Sequence, residues 1–219
     1  LRGLAHEIKN PLGGLRGAAQ LLEREISEVA LKEYTHIIIS EADRLQSLLD
    51  RMLGPNNMPN IQSVNIHEVL EHIRELVRVE AGEGLYIKHD YDPSLPDLQA
   101  DRDLLLQSIL NIVRNAAQAL GNMGKITLRT RIRRNFNIGS VKHRLVARVE
   151  VIDNGPGINE ELRKQIFYPM ITGRSDGTGL GLSIAQALIS RHQGLIECNS
   201  QPGKTVFTIL LPLDGKHEP

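Results

Sequence analysis

The chain has 219 residues, and its 26 basic and 26 acidic side chains balance to a formal net charge of zero. That balance gives no electrostatic support for nucleic acid or membrane-surface binding, and no stretch approaches the roughly 18 apolar residues of a membrane helix. Hydrophobic residues make up 41%, enough for a packed core in one or two domains, and the single cysteine, Cys198, excludes an intrachain disulfide and indicates a reducing compartment.

Residues 1–53 have the spacing of two amphipathic helices, with apolar residues at alternating steps of four and three. The first set is Leu1, Ala5, Ile8, Leu12, Leu15, Ala19, Leu22 and Ile26; the second is Leu31, Thr35, Ile38, Ala42, Leu45, Leu49 and Met52. This spacing predicts a heptad seam with a turn near residues 27–30. Because two helices cannot cover both seams, we expect a homodimer that forms a four-helix bundle.

The start of the chain already lies within this helical pattern, and Arg2, Glu7 and Lys9 interrupt its apolar residues. We therefore expect no signal peptide and a chain that is one piece of a longer protein.

Residues 54–63 contain two prolines, three asparagines and a glycine, which is typical of a linker. We therefore expect a helical hairpin at 1–56, a linker at 57–63 and a second domain at 64–219. In that domain, spacing predicts helices around 69–77, 104–120 and 180–192, and strands at 85–91, 125–133, 144–152, 195–199 and 205–211. Helices and antiparallel strands in mixed order favour an α+β sandwich.

The first motif whose residues could take part in a reaction is HEIKNP at residues 6–11. A neutral imidazole is a competent nucleophile, and His6 lies at the edge of the seam. Glu7 could accept a ring proton, and Asn10, four residues on, shares a helical face with His6 and could orient a water. A solvated surface histidine beside a proline kink explains the motif equally well. A metalloprotease is excluded, because that motif needs a second histidine where Asn10 stands.

Two further motifs fit a nucleotide. Asn111 and Asn115 share one face of an apolar helix, where their amide oxygens suit Mg²⁺, although they could instead tie helix to sheet. Asp153 ends a predicted strand in the sequence DNGPG, where a carboxylate can accept a hydrogen bond from an exocyclic amine. Gly155 and Gly157 would let the backbone approach a flat ligand, but an ordinary turn also favours this composition.

The last motif is GTGLG at residues 177–181, which opens the predicted helix at 180–192. Glycine-rich backbone at a helix N-terminus suits phosphate, although a simple helix cap would look similar. The polar stretch ITGRSD at 171–176 precedes it and has the composition of a mobile lid, with Arg174 as its one cation.

Taken in order, these motifs resemble the H, N, G1, F and G2 boxes of sensor histidine kinases, with Phe167 as the F box, over essentially the whole chain. The resemblance implies a dimerisation and phosphotransfer hairpin followed by an ATP-binding domain of the Bergerat type. It implies that ATP phosphorylates His6, with Glu7 as proton acceptor, and that the group passes to an aspartate of a response regulator. Asn10 would support dephosphorylation of that regulator.

The same resemblance implies roles for the nucleotide motifs. Asn115 and Asn111 would hold Mg²⁺, Asp153 would recognise adenine, and Gly155 and Gly157 would shape its pocket. The phosphates would lie against Gly177, Thr178, Gly179, Leu180 and Gly181. Many members of the family carry a lysine three positions after the second asparagine, but here that position is Gln118, followed by Ala119. Arg174, or else Arg114, would then have to supply the positive charge.

A narrower resemblance is carried by HEIKNPLGGLRGA at 6–18, YDPSLP at 91–96 and FYPM at 167–170, which look like nitrogen-regulation sensor kinases of the NtrB type. That likeness implies a cytoplasmic protein with an N-terminal PAS sensor domain, a response regulator of the NtrC type and control by the PII signalling protein. Gyrase-, heat-shock-90- and MutL-like ATPases share the Bergerat fold, but they usually place a glutamate where Asn111 stands. A dimeric scaffold that only binds nucleotide is the other alternative.

Overall fold

The computed structural model describes residues 2–26, 28–53, 59–121, 123–173 and 178–213, with only the helical backbone described at 2–9, 29–30 and 44–53. The chain divides into two compact units, Leu1–Asn57 and Met58–Pro219. Residues 54–58 of the predicted linker, Leu1 of the predicted seam and Ser27 of the predicted turn lie outside the described residues. None of the helices in the described part of the chain has the length and apolarity to span a membrane.

The first unit is a helical hairpin of α1 (Arg2–Glu25) and α2 (Val29–Leu53). Alternate seam positions face the other helix of the hairpin and are buried: Leu12, Ala19, Thr35 and Ala42. Thr35, the one polar member, donates its hydroxyl to the Lys32 carbonyl at 2.9 Å. The intervening seam positions are 44–58% exposed: Leu15, Leu22, Leu31 and Ile38. The heptad prediction is confirmed for these residues, and half of the seam is left for a partner.

The second unit contains four helices and seven strands among its described residues. In chain order they are β1 (Gln62–Val64), α3 (Ile66–Ala81), β2 (Leu85–Asp90), β3 (Leu98–Ala100), α4 (Arg102–Ala119), β4 (Gly124–Ile138), β5 (Val141–Asp153), α5 (Glu160–Arg163), α6 (Gly181–Ser190), β6 (Leu195–Gln201) and β7 (Lys204–Pro212). Five strands form one sheet in the order β2-β4-β5-β7-β6, and β1 pairs with β3 in a small second sheet.

The large sheet and the helices form two layers, as predicted. Alternate strand residues face α3, α4 and α6 and are fully buried, for example Leu128, Val149 and Phe207. The opposite face carries charged groups: Glu150 of β5 pairs with Arg129 of the neighbouring β4 and with Arg148 of its own strand. The helical layer therefore supplies one continuous core, and the nucleotide motifs lie at its edges.

The strand predictions differ from the structure in three ways. The sheet is mixed, because β2 and β4 are parallel, and α4 provides the long crossover that a parallel pair needs. β4 and β5 extend beyond the predicted 125–133 and 144–152, and the end of this hairpin packs Ile138 against Val146 and Leu210 in a separate apolar cluster. The predicted linker ends too late, because Gln62 and Ser63 already belong to β1.

Candidate functional site

The phosphoacceptor candidates lie on α1. His6 and Glu7 are within its described helical backbone, and Asn10 is exposed one turn after His6 on the same face. Pro11 lies inside the helix, where it cannot donate the usual hydrogen bond to the carbonyl of residue 7. The next residue, Leu12, is buried against the hairpin. Position 10 therefore points away from the buried side of the hairpin, as expected for a residue that meets a visiting protein.

Asp153 ends the central strand β5 on the helix-facing side of the sheet, between Ile126 of β4 and Thr205 of β7. It is only 4% exposed, and its Oδ1 accepts a hydrogen bond from the Gly155 N–H at 2.9 Å. Burial raises the pKa of this carboxyl, and the hydrogen bond from Gly155 only partly opposes that rise. An ionised carboxylate here is under-solvated, so a ligand amine that donates to it would be strongly stabilised.

The loop after Asp153 requires glycine at both predicted positions. A Cβ on Gly155 would lie 2.8 Å from Asp153 Oδ1. Gly157 has a φ of 84°, and its Cβ would lie 2.9 Å from the Gln201 carbonyl carbon. The Gly203 N–H donates to the Gly155 carbonyl at 2.9 Å, which fastens the loop to the β6–β7 turn. The backbone beside Asp153 is therefore held close and free of side chains, as a flat ligand requires.

Asn111 and Asn115 lie one turn apart on α4, both half-buried beside the apolar stripe that faces the core. A Cβ on Gly181 would lie 4.0 Å from Asn111 Cβ, so α6 begins next to Asn111. At the other end of α4, a Cβ on Gly155 would lie 3.9 Å from the Ala119 carbonyl oxygen. Both the loop after Asp153 and the glycine loop therefore lie against helix α4.

The amide pair also fits the metal that the resemblance implies. Among the described residues, no group of three or more His, Cys, Asp or Glu side chains is placed to hold a metal ion. Mg²⁺ characteristically takes one or two protein oxygens and completes its shell with phosphate and water. The amide oxygens of Asn111 and Asn115 meet that limited requirement.

The described part of the glycine loop is closely packed against the segment before it. Gly179 has a φ of 64°, and a Cβ there would lie 2.5 Å from the Met170 carbonyl carbon. The Gly179 carbonyl accepts a hydrogen bond from the Met170 N–H at 3.1 Å. Thr178 is exposed, whereas Arg174 and Gly177 lie outside the described residues. Only glycine is compatible with this conformation and contact at position 179.

The start of α6 differs from those of the other helices in this unit. Leu180 occupies its N-cap position, and a leucine side chain cannot accept a hydrogen bond. In contrast, α3, α4 and α5 are capped by Asn65, Asp101 and Asn159. The first N–H groups of α6 are thus left without a bond from their own N-cap side chain. With the positive end of the helix dipole, they suit a phosphate.

Two features of the site differ from the sequence predictions: Thr205 is a neighbour of Asp153 that was not predicted, and Arg114 is engaged elsewhere. Thr205 is 3% exposed, lies beside Asp153 in register, and forms a 2.8 Å hydrogen bond with Ser200. Its place follows from strand pairing, which local alternation does not reveal. Arg114 instead forms an ion pair with Glu80 on α3, which weakens its candidacy as the phosphate-binding cation.

Two family models match the chain. Residues 1–56 match the His Kinase A (phospho-acceptor) domain, and residues 100–215 match the histidine kinase-, DNA gyrase B- and HSP90-like ATPase domain. Among curated proteins, the chain is 55% identical over 215 residues to the sensory histidine kinase/phosphatase NtrB of Vibrio alginolyticus and 44% identical over 221 residues to that of Rhodobacter capsulatus. Each alignment covers 97% of this chain but 61% of the relative, so the chain spans about three fifths of their length.

Solved structures of histidine kinases are similar in fold. Full-length ShkA in complex with AMPPNP superposes with a TM-score of 0.64 at 27% identity, covering 96% of this chain and 45% of ShkA. The histidine kinase ThkA in complex with the response regulator protein TrrA gives a TM-score of 0.59 at 26% identity, covering 97% of this chain and 60% of ThkA.

Proposed function

Because the chain belongs to the histidine kinase-, DNA gyrase B- and HSP90-like ATPase family and carries a histidine kinase phospho-acceptor domain, we propose that it is the catalytic core of a histidine autokinase. The proposed reaction moves the γ-phosphoryl group of ATP to His6, and then to an aspartate of a response regulator. We assign the hairpin to residues 1–56, the linker to 57–61 and the ATP-binding domain to 62–219, because β1 already begins at Gln62.

The observation that carries this proposal is the meeting of three motifs on α4. The loop after the buried Asp153 lies beside the C-terminal end of α4, Asn111 and Asn115 lie along that helix, and the uncapped start of α6 lies beside Asn111. An amine acceptor, a metal-binding amide pair and a phosphate-binding backbone are the parts needed to hold Mg-ATP. Phosphoryl transfer depends mainly on positioning and charge neutralisation, so a site built from these parts is chemically sufficient.

In the proposed mechanism, Asp153 accepts a hydrogen bond from the adenine amine, and Gly155 and Gly157 leave room for the ring. The phosphates lie against Thr178, Gly179, Leu180 and Gly181, and Gly177 and Arg174 are assigned there by resemblance alone.

Asn115 and Asn111 would hold Mg²⁺, which neutralises charge on the β- and γ-phosphates when bound. A ring nitrogen of His6 bonds to the γ-phosphorus while the bond to the bridging oxygen breaks and ADP leaves. Glu7 accepts the proton from the other ring nitrogen.

The proposed partners follow from the exposed half of the seam and from the relatives. Leu15, Leu22, Leu31 and Ile38 would be covered by a second copy of the hairpin in a homodimer. The likeness to NtrB proteins supports a nitrogen-regulation role, an NtrC-type regulator, control by PII and a cytoplasmic location. The complex of the similar kinase ThkA with TrrA supports a receiver-domain partner.

Incubation with γ-labelled Mg-ATP tests the proposal. We expect label on the protein that is labile in acid and stable in base, as for phosphohistidine. Release of free phosphate without labelled protein would instead indicate a gyrase-like ATPase. Nucleotide binding without either product would indicate a scaffold.

A phosphatase activity on the regulator is the second part of the proposed function. Asn10 is exposed one helical turn beyond His6, where its carboxamide can orient a water at the regulator's phosphoaspartate. We expect Asn10→Ala to spare autophosphorylation and to slow regulator dephosphorylation by about a hundredfold, the lower end of the usual range for a group that assists proton transfer. The decay of labelled regulator measures this effect, and equal decay with both proteins would refute the role.

A further inference from the structure

A chain of hydrogen bonds connects the segment that follows the hairpin to the two helices of the nucleotide site. The Asn60 N–H donates to Asp101 Oδ2 at 2.8 Å, and the Asp101 N–H donates to His192 Nε2 at 3.0 Å. Asp101 is the N-cap of α4, and its Oδ1 accepts from the N–H groups of Asp103 and Leu104. Both carboxylate oxygens and the N–H of Asp101 are therefore hydrogen-bonded, and the partner of Oδ2 is Asn60, in the segment that follows the hairpin.

His192 supplies the other half of this junction. Its ring is only 3% exposed and lies just after the end of α6. Because Nε2 accepts from Asp101, Nδ1 carries the proton and donates to the Leu188 carbonyl at 2.9 Å. The neutral ring thus joins the C-terminal end of α6 to the N-terminal end of α4, with both nitrogens hydrogen-bonded inside the protein.

The same two helices meet at two further points. The Ser108 hydroxyl of α4 donates to the Ala185 carbonyl of α6 at 3.1 Å, inside the core. Asn111 then lies beside Gly181, at the start of α6. From the first contact to the second, the position on α4 advances from 101 to 108 while the position on α6 goes back from 192 to 185. The two helices therefore run antiparallel. The Asp101–His192 junction is therefore one end of a helix pair whose other end carries Asn111 and the glycine loop.

We propose that Asp101 and His192 are positioning residues that fix how α4 and α6 lie against each other, so that the segment around Asn60 affects nucleotide affinity through them. The physical reason is that close-packed helices shift as rigid bodies, and a change at one end of the pair moves the other end. Displacing Asn60 removes a charge-assisted hydrogen bond from the carboxylate that caps α4. This inference rests on the proposed function, because it places ATP at the Asn111 end.

Asn60→Pro tests whether the segment around Asn60 affects nucleotide affinity, because it removes the N–H that donates to Asp101. Ser63→Ala is the matched control, since it removes another exposed hydrogen bond of the same segment, from Ser63 to Asp97. In the full chain, calorimetry should show Mg-ADP affinity reduced about fivefold by Asn60→Pro, the lower end of couplings between distant sites, and unchanged by Ser63→Ala. Equal affinities for wild type and Asn60→Pro would overturn the role of the segment.

Two substitutions test His192. His192→Phe keeps a ring but removes both hydrogen bonds, whereas His192→Gln retains one donor and one acceptor. We expect His192→Phe to weaken Mg-ADP binding more than Asn60→Pro does. His192→Gln should retain most of the wild-type affinity. Lower melting temperatures with wild-type affinity would show a purely structural role and overturn the inference. If His192→Phe does not fold, the affinity of Asn60→Pro relative to Ser63→Ala decides.

A wild-type chain that binds no nucleotide would overturn the proposed function and this inference together. A wild-type chain that binds, beside variants that all bind equally well, would overturn the inference alone.

Discussion

Among the seam residues whose side chains are described, Leu15, Leu22, Leu31 and Ile38 are 44–58% exposed, whereas α3, α4 and α6 bury their apolar faces against the sheet of the second unit. The hairpin buries mainly small or polar seam residues such as Ala19, Thr35 and Ala42 within itself and leaves Leu15 and Leu22 uncovered. The difference indicates that the hairpin is incomplete without a second copy, while the proposed nucleotide site uses residues of one chain. Dimerisation and nucleotide binding should therefore be separable by substitution.

The sharpest separation is expected from Leu22→Glu in the exposed half of the seam. A carboxylate at this position would be buried without a partner in the four-helix bundle, which costs about 3 kcal/mol or more. Sedimentation equilibrium should show dimer dissociation increased by more than about a hundredfold. Mg-ADP affinity should not change.

Leu21→Glu is the matched control, because Leu21 is 65% exposed but lies off the seam. It should leave the dimer intact. Equal effects of the two substitutions would break the assignment of the seam.

Asp153→Asn should have the opposite selectivity. The isostere can still accept from Gly155, but it loses the charged acceptor for the adenine amine, a bond worth roughly 1.5–3 kcal/mol. We expect Mg-ADP affinity to fall by about tenfold to a hundredfold, with the dimer unaffected. The exposed Asp103→Asn on α4 is the control. Unchanged calorimetric affinity in the Asp153 variant would exclude adenine recognition there.

The smallest expected effect concerns the stability of the nucleotide-free second unit. Burial raises the pKa of Asp153 above its ordinary value, so the folded state holds this proton more tightly than the unfolded chain does. Stability is therefore lost as the pH rises from the unfolded pKa of Asp153 through its folded pKa.

Asp153→Asn should consequently raise the melting temperature of the free protein by a few degrees at pH 7 while it weakens nucleotide binding. The gain should shrink as the pH falls below the ordinary range for aspartate. A variant that melts lower than wild type at pH 7 would show that the carboxylate supports the fold instead.

The two regions also differ in how far sequence alone predicts them. The hairpin follows from heptad spacing, because each helix records its own buried face, and its turn is confirmed in the described residues. In the second unit, the helices α3, α4 and α6 and the two-layer sandwich were predicted, whereas the short α5 was not. The parallel pairing of β2 with β4 was not, because strand order depends on a crossover and not on local alternation. The small β1–β3 sheet was not predicted either, because β1 begins within a segment that has the composition of a linker and each of the two strands has only three residues.

The candidate site shows the same limit. Asp153, the asparagines of α4 and the glycines could be named from motifs, because each motif has a recognisable local composition. Their meeting on α4 depends on packing, and so do the place of Thr205 and the ion pair that engages Arg114. The Asp101–His192 junction joins residues 91 positions apart, which no local pattern indicates.

In the proposed reaction, ATP bound in the second unit phosphorylates His6 of the hairpin. Labelling the wild-type chain with γ-labelled Mg-ATP, followed by trypsin digestion without acid and mass spectrometry, locates the phosphoryl group directly. Cleavage after Arg2 and Lys9 should place it on the peptide of residues 3–9, which carries His6 as its only histidine. His6→Gln should bind Mg-ADP normally and carry no label. Label on another peptide, or label retained by His6→Gln, would show that His6 is not the phosphoacceptor.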